Sequence, residues 1–259
     1  MDQDEALSNL NDYNEILQSE VYVDLERLRI LARHGIPTQL RGEVWKYLLG
    51  VEQADRSKEL SNSKTRTNEY QQMDKIDPEV SKRIRGEVSR YQRRVPELDN
   101  KRYTETFENI IIAYLNTNHD IEYNPALVSL CAPFIYALDK ECDAYFCFER
   151  MMQAIEEEVD LNEWITSWLQ HLLAKEMQFE NLVRLWDSYF AMSDPLEFHP
   201  FLCLSILRNA KENLEDLEQS EIRTVLLRLP PMNMSMVIAD AFNLRHETLE
   251  RQMIEDEDL

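Results

Sequence analysis

The sequence contains very little glycine, four residues in a chain of 259. Glycine supplies the positive φ angles of tight hairpin turns and lets the backbone approach bound phosphates closely. We therefore do not expect a hairpin-rich β fold, or a nucleotide held in a glycine-built loop. The chain also has no G-x-G-x-x-G and no G-x-x-x-x-G-K-[ST] motif, which agrees with this expectation.

Positive charge is scarce as well. The chain has 28 Lys and Arg residues against 49 Asp and Glu residues, a formal net charge of −21. Nucleic-acid binding needs a basic surface that displaces counterions, and anionic membranes repel acidic proteins, so the charge disfavours both kinds of partner. A partner with a basic face and a merely solubilising surface explain the acidity equally well.

Long apolar runs are absent too, and none approaches the roughly 20 residues that span a bilayer. The first residues, M-D-Q-D-E, lack the basic start of a signal peptide. The four cysteines lie in helix-like apolar runs, where buried thiols in a reducing compartment are the default. We expect a cytoplasmic protein without direct membrane insertion, which reaches membranes, if at all, through its partners.

Motifs for metal binding and nucleophilic catalysis are missing. The five histidines are scattered, no H-E-x-x-H occurs, and Cys142 and Cys147 have no second pair at zinc-site spacing. There is no G-x-S-x-G motif. The sequence therefore predicts no metal site and no catalysis on a substrate of its own.

Helical periodicity is what the chain has in abundance. Its clearest apolar stripe follows i, i+4, i+7, i+8, i+11 and i+12 spacing: Tyr103, Phe107, Ile110, Ile111, Tyr114 and Leu115. No segment alternates as a half-buried strand does, so we predict an all-α protein of ten or more helices. We expect an acidic, frayed segment over 1–20 and helical halves over 21–138 and 139–259. The polar stretch 51–77 predicts a loop or an exposed weak helix.

The stretch Asp77–Arg94 predicts a helix with a cationic end. Asp77 can cap it and Pro78 fits its first turn. One apolar stripe follows at every fourth residue: Val80, Ile84 and Val88. The cations Arg90, Arg93 and Arg94 come after the stripe. Presentation of charge to a partner is one interpretation; a solvated ion-pair face over Arg83, Glu87 and Arg90 is the other.

Two further motifs carry a family resemblance. They read G-I-P-T-Q-L-R-G-E-V-W-K-Y-L-L-G at Gly35–Gly50 and N-L-V-R-L-W-D-S-Y-F at Asn181–Phe190. Together they resemble the TBC (Tre-2/Bub2/Cdc16) domains, GTPase-activating proteins for Rab-type GTPases. The resemblance implies an all-α fold of two helical subdomains without a sheet, in which these motif residues are mainly structural: Arg41, Trp45, Trp186 and Asp187.

The resemblance implies two catalytic fingers, the first an arginine in an I-x-x-D-x-x-R motif. Here Ile84 and Arg90 match, and Glu87 replaces the aspartate. Glu87 can still orient Arg90 three residues later, and an arginine can neutralise charge that develops between phosphates. Because glutamate is longer than aspartate, Arg93 and Arg94 remain alternative cations.

The second finger of the family is the glutamine of a Y-x-Q-G motif. The corresponding residues are Tyr123, Asn124, Pro125 and Ala126, so proline stands at the glutamine position. Proline cannot orient a water, and Asn124 is a neighbour rather than a match. The segment Gln153–Glu163 is also shorter than the family normally has. Either the GTPase supplies its own glutamine or water positioning is lost.

Three functions stay open on this evidence. The first is GTPase activation through Arg90 with Glu87 as orienting acid, with Tyr123, Asn124, Arg93 and Arg94 as candidate contacts. The second is a catalytically inactive pseudo-GAP that binds a GTPase or assembles a complex with other subunits. The third ignores the resemblance and is an acidic scaffold for basic or phosphorylated peptides. The resemblance also implies a role in membrane trafficking and no cofactor, because the GTPase carries GTP and Mg²⁺.

Overall fold

Helices form the regular secondary structure, as the sequence predicts. The computed structural model describes residues 3–119, 121–156, 168, 171–192, 194–214 and 217–257. In these ranges the chain forms twelve α-helices and two short 3₁₀ segments and no β-strand, apart from an isolated bridge between Tyr22 and Asp55. The prediction of an all-α fold is confirmed.

The helices belong to two compact units, Met1–Glu157 and Glu158–Leu259. Helices of the first unit are α1 (Gln3–Leu17), α2 (Leu25–Ala32), α3 (Arg41–Leu48), α4 (Glu59–Gln72), α5 (Pro78–Gln92), α6 (Lys101–Thr117), α7 (Ala126–Ala137) and α8 (Glu141–Glu156). Helices of the second unit are α9 (Phe179–Phe190), α10 (Pro195–Leu214), α11 (Gln219–Leu226) and α12 (Met234–Glu257). The sequence places the division after residue 138; α8 instead belongs with the first unit because it packs against α6 and α7.

Helix α1 lies where the sequence predicts a frayed acidic segment. Its last turns are buried through Tyr13, Ile16 and Leu17. The Tyr13 hydroxyl donates a hydrogen bond to the Gly35 carbonyl oxygen at 3.2 Å, and α1 packs against α2. The acidic composition of this segment gives no sign of these contacts, because they are made with a loop that is distant in sequence.

The core of the first unit is built around α7. Ten of its twelve residues are buried, as expected for a helix that is apolar on every side. Helices α5, α6 and α8 pack against it. The Phe134 ring meets the rings of Trp45 and Phe148 edge-on, with centroids 5.6 and 6.4 Å apart. Helix α5, which carries the candidate finger, thus packs against the buried central helix of this unit.

The polar stretch 51–77 contains the exposed helix that the sequence allows. Tyr70 is the buried residue of α4, and its hydroxyl donates to the Glu141 carboxylate at 2.8 Å. Near the middle of α4, half-buried Arg66 forms an ion pair with buried Glu52. These two polar contacts attach a helix whose other residues are half-buried or exposed.

A buried polar network lies in the second unit. The His199 ring nitrogen Nε2 lies 2.9 Å from the Trp168 carbonyl oxygen, and Nδ1 contacts the Tyr189 hydroxyl. These partners assign the neutral tautomer in which Nε2–H donates to the carbonyl and Nδ1 accepts from tyrosine. Burial disfavours the imidazolium and lowers the pKa of His199 to about 4.

The part of the short segment Gln153–Glu163 that follows residue 156 lies outside the described residues. Among the described helices, none combines the length and apolarity needed to cross a membrane.

Candidate functional site

Helix α5 forms as its sequence predicts. The Asp77 carboxylate accepts hydrogen bonds from the Glu79 and Val80 amides at 3.1 and 3.0 Å, with Pro78 in the first turn. The apolar stripe continues inward through buried Ile84 and Val88. Because α6 and α7 pack on this stripe, the opposite face of α5 is fixed in orientation.

Arg90 and Glu87 form an ion pair on the outer face of α5. The Arg90 Nε atom donates to Glu87 Oε2 at 3.0 Å, and Nη2 contacts the same oxygen. The Arg90 side chain is 65% exposed, whereas that of Glu87 is only 17% exposed. The acid is thus the fixed member of the pair and the guanidinium is the accessible one. A cation in the last turn also interacts favourably with the helix dipole.

Tyr123 joins this face of α5 from the loop before α7. Its ring lies under the Arg83 guanidinium, with 4.6 Å between Cζ and the ring centroid. Burial raises the pKa of Tyr123, and the negative charge of Glu87 raises it further, while Arg83 and Arg90 oppose this. The structure therefore brings Tyr123 together with the predicted finger motif.

Asn124 and Pro125 begin α7 and are both exposed. The Asn124 side-chain oxygen accepts from the Ala126 amide at 2.9 Å, so this oxygen is used in starting the helix. Pro125 has φ −54°, the value that its ring enforces. At the position where the family motif has glutamine, this chain thus places a helix-starting residue without a side-chain amide.

Arg93 and Arg94 follow at the end of α5 and are exposed. Arg93 is the C-terminal cap residue with helical backbone angles. The Arg94 guanidinium lies over the Tyr91 ring, 5.6 Å from its centroid. Among the described residues, neither Arg93 nor Arg94 forms an ion pair with an acid, whereas Arg90 is held by Glu87.

The first family motif anchors α3 on α7. The Arg41 Nη2 atom donates to the Ile36 carbonyl oxygen at 3.0 Å, and Trp45 is fully buried. A Cβ atom at Gly42 would overlap the Ala137 carbonyl oxygen, so this contact between α3 and α7 requires glycine. Sequence reasoning named Gly42 only as part of the motif and missed this reason for it.

The second family motif lies on α9 in the second unit. Trp186 and Asp187 are completely buried, and the Trp186 indole donates to the Leu172 carbonyl oxygen at 3.3 Å. Buried residues of this kind act through packing and hydrogen bonding within their own unit.

Arg83 is the functional candidate that sequence reasoning missed. Its spacing from Glu87 and Arg90 predicts a solvated ion-pair face, but its guanidinium stacks on Tyr123 instead. Arg83 and Tyr123 are 40 positions apart, so no local pattern signals this contact. The one hint in the sequence is that Arg83 lies beside the arginine-finger motif and Tyr123 lies in the second finger motif. Two motifs that act on the same nucleotide are expected to lie close together in the fold.

The face formed by Arg83, Glu87, Arg90 and Tyr123, which we call the α5 face, offers the exposed guanidinium of Arg90 as a donor. Such groups stabilise anionic oxygens that a partner supplies. Among the described residues, no group of three or more His, Cys, Asp and Glu side chains could hold a metal ion.

Comparisons with known proteins agree with this architecture. The chain is 23% identical to the GTPase-activating protein gyp1 of Schizosaccharomyces pombe and 22% identical to human TBC1 domain family member 22A. These alignments cover 91% and 92% of this chain and 60% of each relative, so the chain spans about three fifths of their length.

Solved structures share the fold. The crystal structure of the Ypt/Rab-GAP domain of Gyp1p superposes with a TM-score of 0.75 at 17% identity, over 93% of this chain and 99% of that one. The Chlamydomonas flagellar RabGAP TBC domain gives 0.68 at 17% identity, over 92% and 91%. The family model of the Rab-GTPase-TBC domain matches residues 38–157 and 153–215. The chain belongs to the Rab-GTPase-TBC domain family.

Proposed function

We propose that this chain is a GTPase-activating protein for a Rab-type small GTPase and that Arg90 is its arginine finger. The observation that carries the proposal is the pairing of an exposed guanidinium with a largely buried acid at the end of a helix seated on the core. The names of the similar proteins, which include a GTPase-activating protein and RabGAP domains, support the same direction.

In the proposed mechanism, Glu87 orients Arg90 until a GTPase docks. Arg90 then reaches the bound nucleotide and neutralises charge that develops on the phosphate oxygens during hydrolysis. A planar guanidinium with five donors suits this task better than an ammonium group. GTP and Mg²⁺ belong to the GTPase, so this chain contributes the cation and its orientation.

Water positioning falls to the GTPase in this proposal. Pro125 has no donor or acceptor in its side chain, and the Asn124 oxygen is engaged by the Ala126 amide. The attacking water therefore has to be oriented by the glutamine of the GTPase itself.

A second candidate function is a pseudo-GAP that binds a GTPase or assembles other subunits without accelerating hydrolysis. Pro125 is the observation that favours it, because one of the two fingers of the family is missing. This candidate predicts binding that does not depend on Arg90. The peptide-binding alternative has less support, since Arg90 is paired with Glu87 and Arg94 lies on Tyr91.

We further propose that the protein acts in the cytoplasm, at membranes that it reaches through its GTPase and through other subunits, within membrane trafficking. This placement follows from a Rab-type partner and involves no insertion of the chain itself.

Single-turnover GTP hydrolysis with a panel of small GTPases tests the proposal. We expect the wild type to accelerate hydrolysis on at least one of them by about 10³–10⁵-fold, as arginine fingers do, and Arg90→Ala to abolish the acceleration. GTPase binding without acceleration by the wild type would establish the pseudo-GAP instead.

A further inference from the structure

The hydroxyl of Tyr123 is an unexplained polar group. Its oxygen is buried, and it has no hydrogen-bond partner among the described residues. The ring is held in place by Arg83. A buried donor without an acceptor destabilises the fold, and phenylalanine would fill the same space without that cost. The hydroxyl is therefore expected to find its acceptor in another state of the protein.

Glu87 has an acceptor to spare. Both described hydrogen bonds from Arg90 end on Oε2, and Oε1 has none within the described part of the chain. The side chain is 17% exposed, so the carboxylate keeps some contact with water and gains a stronger partner if a protein donor replaces Arg90. Glu87 lies one helical turn after Arg83, whose guanidinium stacks on the Tyr123 ring, so the carboxylate and the tyrosine are neighbours on this side of α5. The charge of Glu87 accordingly raises the pKa of the hydroxyl.

We propose that Glu87 exchanges donors. In the free chain it holds Arg90, and when Arg90 turns outward it accepts a hydrogen bond from the Tyr123 hydroxyl. Tyr123 is then a positioning residue that acts through Glu87 rather than on the nucleotide. That Arg90 turns toward a nucleotide rests on the proposed function, but the exchange itself is a property of the isolated chain.

The exchange explains how a finger can be both held and released. Pulling Arg90 away from Glu87 would otherwise leave a mostly buried carboxylate with water as its remaining donor. With Tyr123 beside it, two groups that lack a full set of partners satisfy each other as the guanidinium leaves. Arg83 contributes by keeping the tyrosine ring at the required place on the α5 face.

A double-mutant cycle in the full chain, without any GTPase, tests the exchange. The readout is the opening equilibrium constant of α5, measured by hydrogen–deuterium exchange of its amides. In the wild-type background, Tyr123→Phe removes only an unpartnered hydroxyl, so the constant stays the same or falls. In the Arg90→Ala background Glu87 accepts a hydrogen bond from that hydroxyl. Tyr123→Phe removes this bond and should raise the opening constant of α5 about fivefold.

The decisive result is the difference between the two backgrounds: Tyr123→Phe raises the opening constant in Arg90→Ala and does not raise it in the wild type. Tyr103→Phe on α6 is the matched control and should have the same effect in both. If Tyr123→Phe changes the constant equally with and without Arg90, there is no exchange. Because no GTPase is present, that result would overturn the exchange alone, whereas failure to stimulate hydrolysis would overturn the proposed function alone.

Discussion

Helix α5 carries two exposed arginines that look alike and are bound differently. Arg85 and Arg90 are 66% and 65% exposed, and each is paired with a glutamate that is mostly buried. The partner of Arg85 is Glu108 on α6, which also accepts from the Ser81 hydroxyl at 2.8 Å. The partner of Arg90 is Glu87, one turn earlier on its own helix.

The difference decides what each arginine can do. Arg85 joins two helices, so moving it weakens the packing of α5 on α6. Arg90 is held within one helix, so it can turn outward while the core stays intact. Exposure alone would rank the two arginines equally; the attachment of the acid separates a structural cation from one that is available to a partner.

The largest expected effect is on stimulated GTP hydrolysis, the activity that we assign to Arg90. We predict that replacing the GTPase's own water-positioning glutamine by leucine reduces stimulated hydrolysis to the rate without this chain, because Pro125 offers no substitute amide. Single-turnover hydrolysis measures the rate, and binding of the leucine variant serves as control. Undiminished stimulation would mean that some group of this chain orients the water.

Mildly acidic pH should destabilise the second unit, which would complicate a comparison of the two arginines. The pKa of His199 is about 4 in the folded chain and about 6.5 in an unfolded one, so unfolding binds a proton. Stability contributed by neutral His199 is complete above about pH 6.5 and is lost as the pH falls toward 4.

Between pH 7 and pH 5 this loss amounts to about 2 kcal/mol in the free energy of unfolding. Urea unfolding of the second unit at both pH values measures it. His199→Gln should remove most of the pH dependence, whereas an equal dependence in wild type and variant would assign it to other groups. Comparisons of the two arginines therefore belong at neutral pH.

Replacing the two glutamates should have different effects, one on stability and the other on hydrolysis. We predict that Glu108→Ala lowers the free energy of unfolding by about 1–2 kcal/mol, because it removes the acceptor of both Arg85 and Ser81. Glu87→Ala should cost at most about 1 kcal/mol, as expected for a pair with an exposed arginine, but should lower stimulated hydrolysis. Urea unfolding beside single-turnover kinetics checks both, and a loss of stability for Glu87→Ala as large as for Glu108→Ala would erase the distinction.

Local patterns made α5 predictable. The Asp77 cap, Pro78 and the stripe through Ile84 and Val88 depend on neighbours within one or two turns, and the structure confirms them. The all-α fold and the family were likewise accessible, because amphipathic spacing and the two motifs are written along the chain.

Contacts between distant segments were not predictable in this way. The stacking of Arg83 on Tyr123, the pairing of Arg85 with Glu108 and the burial of α1 join residues between 22 and 40 positions apart. Such contacts depend on which helices pack together, and the local patterns of a single sequence do not reveal that packing. The site is therefore recognisable from the sequence as a motif, but which acid holds each arginine of α5 is seen only in the structure.

The most direct test compares Arg90→Ala with Arg85→Ala in stimulated single-turnover GTP hydrolysis. The two substitutions remove the same group, with nearly the same exposure, from the same helix. We predict a loss of about 10³–10⁵-fold for Arg90→Ala and a rate within about twofold of wild type for Arg85→Ala. Equal rates for the two variants would contradict the assignment of Arg90 as the finger.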